Sequence, residues 1–282
     1  MTGGKAHREW AVTLPSFAWL VALFVIPSLI VLAIAFRPAT PSGGIGAGWT
    51  LETLRSLGNP NYPAILWRTV WLAVATTAVC LALGVPTSYA LARAPKRWRN
   101  LLLLLVIVPF WTSFLVRIFA WRTLLHPEGP LKRALVAVGL AAPDSQLLYN
   151  SGAILLVLVY TELPFAILPL YAAAEKFDFR LIEAARDLGA SSWRAFRSVF
   201  LPGIGRGIVT ATLVTLIPAL GSYVVPDLVG GPSSEMIGNK IAQRTFTDRN
   251  LPHAAALSAL LALAVLAPTL IALAANRRKE SP

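Results

Sequence analysis

Glu162 sits in an otherwise uncharged stretch, Leu148–Ala172, where a carboxylate has little reason to be unless it meets something. An ionised acid at membrane depth costs a few kcal/mol on insertion scales, about 2.5–3.5, so such a group faces a cavity or a partner. Two partners are open: the ammonium group of a solute, or the guanidinium of Arg117 in a neighbouring apolar run. Trp111, Tyr160 and Tyr223 can stack on a cation, although aromatic residues near span ends also act as interfacial anchors.

Other chemistry is thinly represented. His7, His126 and His253 are scattered through polar segments and read as solvated side chains rather than ligands. The chain has no H-E-x-x-H, no C-x-x-C and no G-x-x-x-x-G-K-[ST] phosphate loop, so the expectation is no catalytic residue, no metal and no cofactor. The single cysteine, Cys80, lies in an apolar run and reads as a packing residue, which excludes an intrachain disulfide.

The elements that must position Glu162 are set by composition. Of 282 residues, 56% are hydrophobic and 13% charged, and the mean hydropathy is +0.65. Soluble domains carry about 25% charged residues, so a polytopic membrane protein is expected instead. The net charge of +12 invites a nucleic-acid reading. The cations cluster between apolar runs, however, as cytoplasmic loops of membrane proteins do, and no nucleic-acid partner is expected.

Six stretches are long enough to cross a bilayer: about Leu14–Phe36, Trp67–Ala92, Asn100–Trp121, Leu148–Ala172, Ile204–Val225 and Ala254–Ala275. Each should be a helix, because a single spanning segment in lipid satisfies its backbone groups only that way. Pro27, Pro86, Pro109, Pro164, Pro169 and Pro218 predict kinks. The first stretch follows Lys5 and Arg8 and ends near Ala33-Ile34-Ala35, a small-residue pattern; its length favours a retained signal-anchor over a cleaved leader.

Lys and Arg set the direction. The short segment 93–99, R-A-P-K-R-W-R, is mostly cationic, and Arg277, Arg278 and Lys279 follow the last span. Short cationic loops stay inside, so both termini and segments 93–99 and 173–203 are expected in the cytoplasm. Segments 37–66, 122–147 and 226–253 then face outward, the second with a short helix near Pro130–Val136.

Segment 173–203 predicts two short helices. Asp178 can cap the first, and Phe179, Ile182, Ala185 and Leu188 recur at near-helical spacing. Gly189 suits the left-handed residue that ends many helices, and Ser191 or Ser192 can cap a second helix running through Trp193 and Phe196 to Pro202. From helical pattern alone, an interfacial helix without a partner is the favoured reading.

Residues 183–202 read E-A-A-R-D-L-G-A-S-S-W-R-A-F-R-S-V-F-L-P. This resembles the EAA loop of ABC-importer permeases, in which Glu-Ala-Ala, three residues, Gly, nine residues, Ile, one residue and Leu-Pro dock into an ATPase. Glu183, Ala184, Ala185, Gly189, Leu201 and Pro202 fall in register, with Val199 in the place of Ile. P-F-W-T-S-F-L-V-R-I-F-A-W-R (109–122), L-P-F-A-I-L-P-L-Y (163–171) and P-A-L-G-S-Y-V-V-P-D-L-V-G-G (218–231) look like the spermidine/putrescine branch of type I permeases.

The resemblance covers about residues 60–275 and implies an all-α, six-helix permease fold in the bacterial inner membrane. It implies assembly with an ATP-binding cassette ATPase dimer, a second homologous permease subunit and a periplasmic solute-binding protein, within membrane lipid. The implied coupling residues are Glu183, Ala184, Ala185, Asp187, Gly189, Leu201 and Pro202. Asp227 matches the family's P-D-L segment at the outer end of the fifth span. Candidates for the solute pathway are Glu162, Trp111, Tyr160, Tyr223 and Asp227.

The expected organisation is an N-terminal helix and periplasmic loop (1–63), a permease core (64–275) holding the loop 173–203, and a tail (276–282). The implied solute is a polyamine, with an opine, an amino-acid-like compound or another cation as alternatives. A gradient-driven secondary transporter is the competing class. ATP hydrolysis is expected in a partner, not in this chain.

Overall fold

The computed structural model describes residues 13–40 and 43–278, with side chains placed up to residue 266 in the last helix. Lys5, His7, Arg8 and Lys279 lie outside the described residues. The described chain is all-α; its one β contact is an isolated bridge between Ala39 and Ile45.

Two compact units divide it. The first joins the residues up to Pro63 with those from Lys240 onward. It contains α1 (Thr13–Ile34), α2 (Glu52–Ser56) and α13 (Leu251–Arg278). α1 carries no charged residue and presents Phe17, Leu20, Leu23 and Phe24 outward, the composition that lipid demands. Ala35, Ala255 and Ala256 let the end of α1 approach the start of α13 closely. Here His253 is buried rather than solvated, against expectation: Tyr62 Oη lies 2.7 Å from its Nε2 and Ser56 Oγ 3.1 Å from its Nδ1. A cluster of polar groups from three separate segments makes that burial affordable, which spacing alone does not show.

The second unit runs from Ala64 to Asn239. It holds most of α3 (Asn61–Arg93), then α4 (Lys96–Ile107), α5 (Phe114–Leu125), α6 (Pro130–Ala137) and α7 (Ser151–Glu175). After these come α8 (Arg180–Asp187), α9 (Ser192–Gly203), α10 (Gly205–Gly221) and α11 (Val224–Val229). The helix α12 (Ile237–Ala242) starts at its end.

α7 is the central element. Its N-terminus is capped by Asn150, whose side chain accepts the Ala153 N–H, and it continues through Pro164 and Pro169. α10 packs along α7, and Gly207 is what permits it: a Cβ there would stand 2.5 Å from Ala173 Cβ and 3.1 Å from the Pro169 carbonyl. Small residues at such a crossing are how helices gain contact where lipid removes any hydrophobic drive.

Two expected spans differ in form. The stretch Asn100–Trp121 is not one helix: the chain bends by 88° between Trp111 and Phe114. Pro109 withholds a backbone donor within a 3₁₀ turn (Val108–Trp111), and Thr112 and Ser113 are extended. The fifth stretch also departs from expectation: α9 meets α10 at 72°, and α10 ends at Gly221, with Ser222 extended before α11. The last helix is apolar over Leu251–Leu266 among residues whose side chains are described. The short helix expected after Pro130 is α6.

Candidate functional site

The segment after α7 folds back into two short helices, as the turn residues anticipate. At the start of α8, Asp178 Oδ1 accepts the Arg180 backbone N–H at 3.1 Å and the Arg180 Nε at 3.1 Å. Phe179 stands in the cap position, so the carboxylate acts one residue earlier than expected. The Arg180 hydrogen bonds hold the Asp178 carboxyl below the usual carboxylate range.

α8 ends in a Schellman motif. The Ala190 N–H donates to the Ala185 carbonyl (3.0 Å) and the Gly189 N–H to the Arg186 carbonyl (2.9 Å), with Gly189 at φ +88°. Ser191 then caps α9 by accepting the Arg194 N–H at 3.2 Å.

One face of this hairpin is held to the spans by an aromatic cluster. Phe200 is fully buried, with ring centroids of Tyr89, Phe177, Phe196 and Phe179 at 4.9, 5.3, 5.4 and 6.1 Å. Ile182 and Ala195 are buried against the same group, and Ala185 is partly buried there. Gly203 leaves room for Phe177, because a β-carbon at 203 would overlap its ring. A second tie fixes the preceding short segment: Arg99 pairs with Glu175 (3.1 Å) and donates to the Ala92 carbonyl (2.8 Å), while Tyr171 donates to Glu175 (2.9 Å). Arg93 lies over the Tyr89 ring and donates to its hydroxyl at 2.7 Å.

The other face is open. Glu183, Ala184 and Asp187 are exposed. Leu188, expected to share the inward stripe with Ile182, is instead 89% exposed, because it occupies the C-cap where the chain turns away from the helix. With Leu181 and Ala184 it forms an outward apolar row at helical spacing, and Trp193 on α9 is 70% exposed. Leu201 is half-buried and Pro202 exposed in the last turn of α9. An anchored helix pair that displays leucine, tryptophan and two acids outward has the form of a protein contact rather than of a folded core.

The pathway candidates are not gathered in one place. Tyr160 packs edge-on against Trp121 (5.3 Å) and near Phe110 (6.5 Å). Arg117 lies over the Phe110 ring at 4.3 Å. It therefore makes a cation–π contact in place of the expected ion pair: no bond joins it to Glu162, whose Oε2 is buried with no hydrogen-bond partner among the described residues. Phe110, just before the bend, gives the guanidinium an electron-rich face that the straight span could not have supplied. Trp111 is 75% exposed, Tyr223 is exposed at the start of α11, and Asp227 is exposed one turn later.

The aromatic cluster and the Arg99–Glu175 tie had escaped sequence reasoning. The repeat of Phe196 and Phe200 at i,i+4 was a local signal, but Tyr89 joins from more than one hundred positions earlier.

Fold and site together define a helical protein with long apolar helices and an anchored helix pair that displays an exposed apolar row. Residues 84–280 match the family model described as "Binding-protein-dependent transport system inner membrane component", and the chain belongs to that family. Over 255 residues it is 38% identical to the spermidine/putrescine transport system permease protein PotB of Haemophilus influenzae, covering 90% of this chain and 88% of that one. It is 36% identical over 245 residues to PotB of Escherichia coli, covering 87% and 89%.

Among solved structures, a bacterial ABC transporter that imports the acidic polysaccharide alginate aligns with TM-score 0.70 at 20% identity, over 98% of this chain and 97% of that one. The alginate transporter in complex with its pentasaccharide-bound periplasmic protein aligns with TM-score 0.73 at 18% identity, over 97% and 95%. These establish the shared fold. The chain is accordingly a multi-pass, inner-membrane permease of an ABC import system.

Proposed function

We propose that this permease carries a small organic cation of the polyamine class inward, driven by ATP hydrolysis in a partner ATPase dimer. A second homologous permease subunit and a periplasmic solute-binding protein complete the assembly. The names of the PotB relatives support the solute class. The observation that carries the reading is the half-buried Glu162 of α7, whose Oε2 is buried and unbonded and which lacks the guanidinium partner that would neutralise it. An uncompensated buried acid is costly and is expected where a cation passes.

In this reading six spans cross the membrane, α4 with α5 and α9 with α10 acting as broken spans. Both termini and the loop 173–203 face the cytoplasm. Residues 64–275 form the permease core, after the first helix and outer loop (1–63) and before the tail (276–282). Glu183, Ala184, Ala185, Asp187, Gly189, Leu201 and Pro202 form the ATPase contact. Trp111, Tyr160, Tyr223 and Asp227 accompany Glu162 along the pathway.

Glu162→Gln keeps the shape of the side chain and removes its charge. Losing a charge-assisted contact of about 1.5–3 kcal/mol corresponds to a fall of about ten- to a hundredfold in uptake of labelled spermidine. Complex assembly and basal ATP hydrolysis are expected to persist. Unchanged uptake removes Glu162 from the pathway, and uptake of a different organic cation in the wild type, with none of spermidine, corrects the solute.

A further inference from the structure

We propose that the pocket between α5 and α6 holds the phosphate of an anionic phospholipid. The pocket has a volume of about 470 Å³, and its lining includes Phe119, Arg122, Thr123, His126, Glu128 and Arg133. The α5 members Phe119, Arg122 and Thr123 recur at i, i+3 and i+4, so they form one face of that helix, and His126 follows at its C-cap. Gly129 brings α6 back over this face. It is buried where the carbonyls of Thr123, Leu124 and His126 converge, 2.5, 2.6 and 2.9 Å from where a β-carbon would stand, and the tight turn it permits carries Arg133 to the same pocket as Arg122.

The charge in this pocket has no internal owner. Arg133 is exposed and makes no side-chain bond among the described residues, and Arg122 has only a 3.5 Å contact with the Tyr149 hydroxyl. His126 Nδ1 accepts the Glu128 backbone N–H at 3.3 Å, which leaves the neutral ring's hydrogen on Nε2 as a further donor. The Glu128 carboxylate also lines the pocket, but two guanidiniums outweigh it. Two forked guanidinium donors match the paired oxygens of a phosphate.

What favours lipid over a soluble anion or an acidic protein segment is the rest of the same helical face. One turn below the pocket, Leu115 and Val116 are exposed, and Phe119 joins them to the arginines. Apolar side chains running down from a cationic rim reproduce the order of acyl chain and headgroup. In the proposed topology the pocket lies at the outer leaflet. The inference does not depend on which solute is moved.

Native mass spectrometry of the full complex, extracted from membranes of phosphatidylglycerol and phosphatidylethanolamine, tests the assignment. The wild type should retain phosphatidylglycerol preferentially. Each arginine near a charged surface is worth about fivefold, so Arg122→Gln with Arg133→Gln should lower that preference about 25-fold. Replacing both by lysine keeps the charge but not the fork and should retain part of the preference, and this pair also controls for folding. Equal lipid ratios in the wild type and the double glutamine variant overturn the proposal. So does displacement of the bound anion by excess inorganic phosphate with no lipid preference, which would make the source a free ion. Loss of binding-protein capture with an unchanged lipid ratio would assign the arginines to a protein partner instead.

Discussion

Gly189→Asp is expected to abolish solute uptake while ATP hydrolysis continues or the ATPase dissociates, with the permease still inserted and folded. Gly189 adopts φ +88° at the turn that ends α8, and the two Schellman hydrogen bonds depend on that conformation. A side chain in the left-handed region costs on the order of 1 kcal/mol, somewhat less for Asp than for most residues. No atom lies within 4 Å of the β-carbon that would be added, so the fold can absorb the change. The damage instead comes from the surface. A new carboxylate beside exposed Asp187 and Leu188 places charge within an apolar contact. Gly189→Asn imposes comparable backbone strain without charge and should retain much of the uptake. If both variants lose uptake equally, geometry rather than the contact surface is responsible. Wild-type uptake by Gly189→Asp with an intact complex would show that this turn does not border the coupling contact.

Phe200→Ala should separate the coupling hairpin from the spans. Phe200 is fully buried and is the ring that touches Tyr89, Phe177, Phe179 and Phe196. Removing a buried phenyl group costs about 3–5 kcal/mol through lost burial and the cavity left behind. Here that loss falls at the centre of the aromatic cluster that joins α8 and α9 to α3, so it is expected locally before it is felt in the spans. The thermal midpoint of the purified complex should fall by several degrees. Limited proteolysis should begin to cut within 173–203, and uptake should fall with it. Phe200→Leu, which refills part of the volume, should recover most of the loss. Equal protease resistance in wild type and Phe200→Ala would mean the cluster does not hold the hairpin.

How far the sequence carries this account differs from element to element. The apolar runs and the turn at Gly189 are local signals: continuous hydrophobicity demands helix in lipid, and a glycine after Ala184, Ala185 and Leu188 marks a helix end. The bend at Thr112 and Ser113 was only half legible. Pro109 announced a disturbance, but a proline in a membrane helix more often bends it modestly than turns it by 88°. Arg117 shows the same limit, since opposite charges in adjacent spans suggest a pair, yet the break places Phe110 beneath the guanidinium. Leu188 fits the inward stripe by spacing and departs from it because the helix has already ended. The site's anchor, Tyr89 against Phe196 and Phe200, is a long-range contact that no periodicity within either segment encodes.

The central claim is that the outward face of α8 transmits ATP-driven motion from another subunit, and Leu188 is where it is most directly tested. A photo-crosslinking residue at position 188, in the complex reconstituted with its ATPase and solute-binding protein, should form an adduct with the ATP-binding subunit. The yield should change between the nucleotide-free and ATP-bound states. No adduct with that subunit in either state, while ATP-driven uptake remains at the wild-type level, would contradict the account.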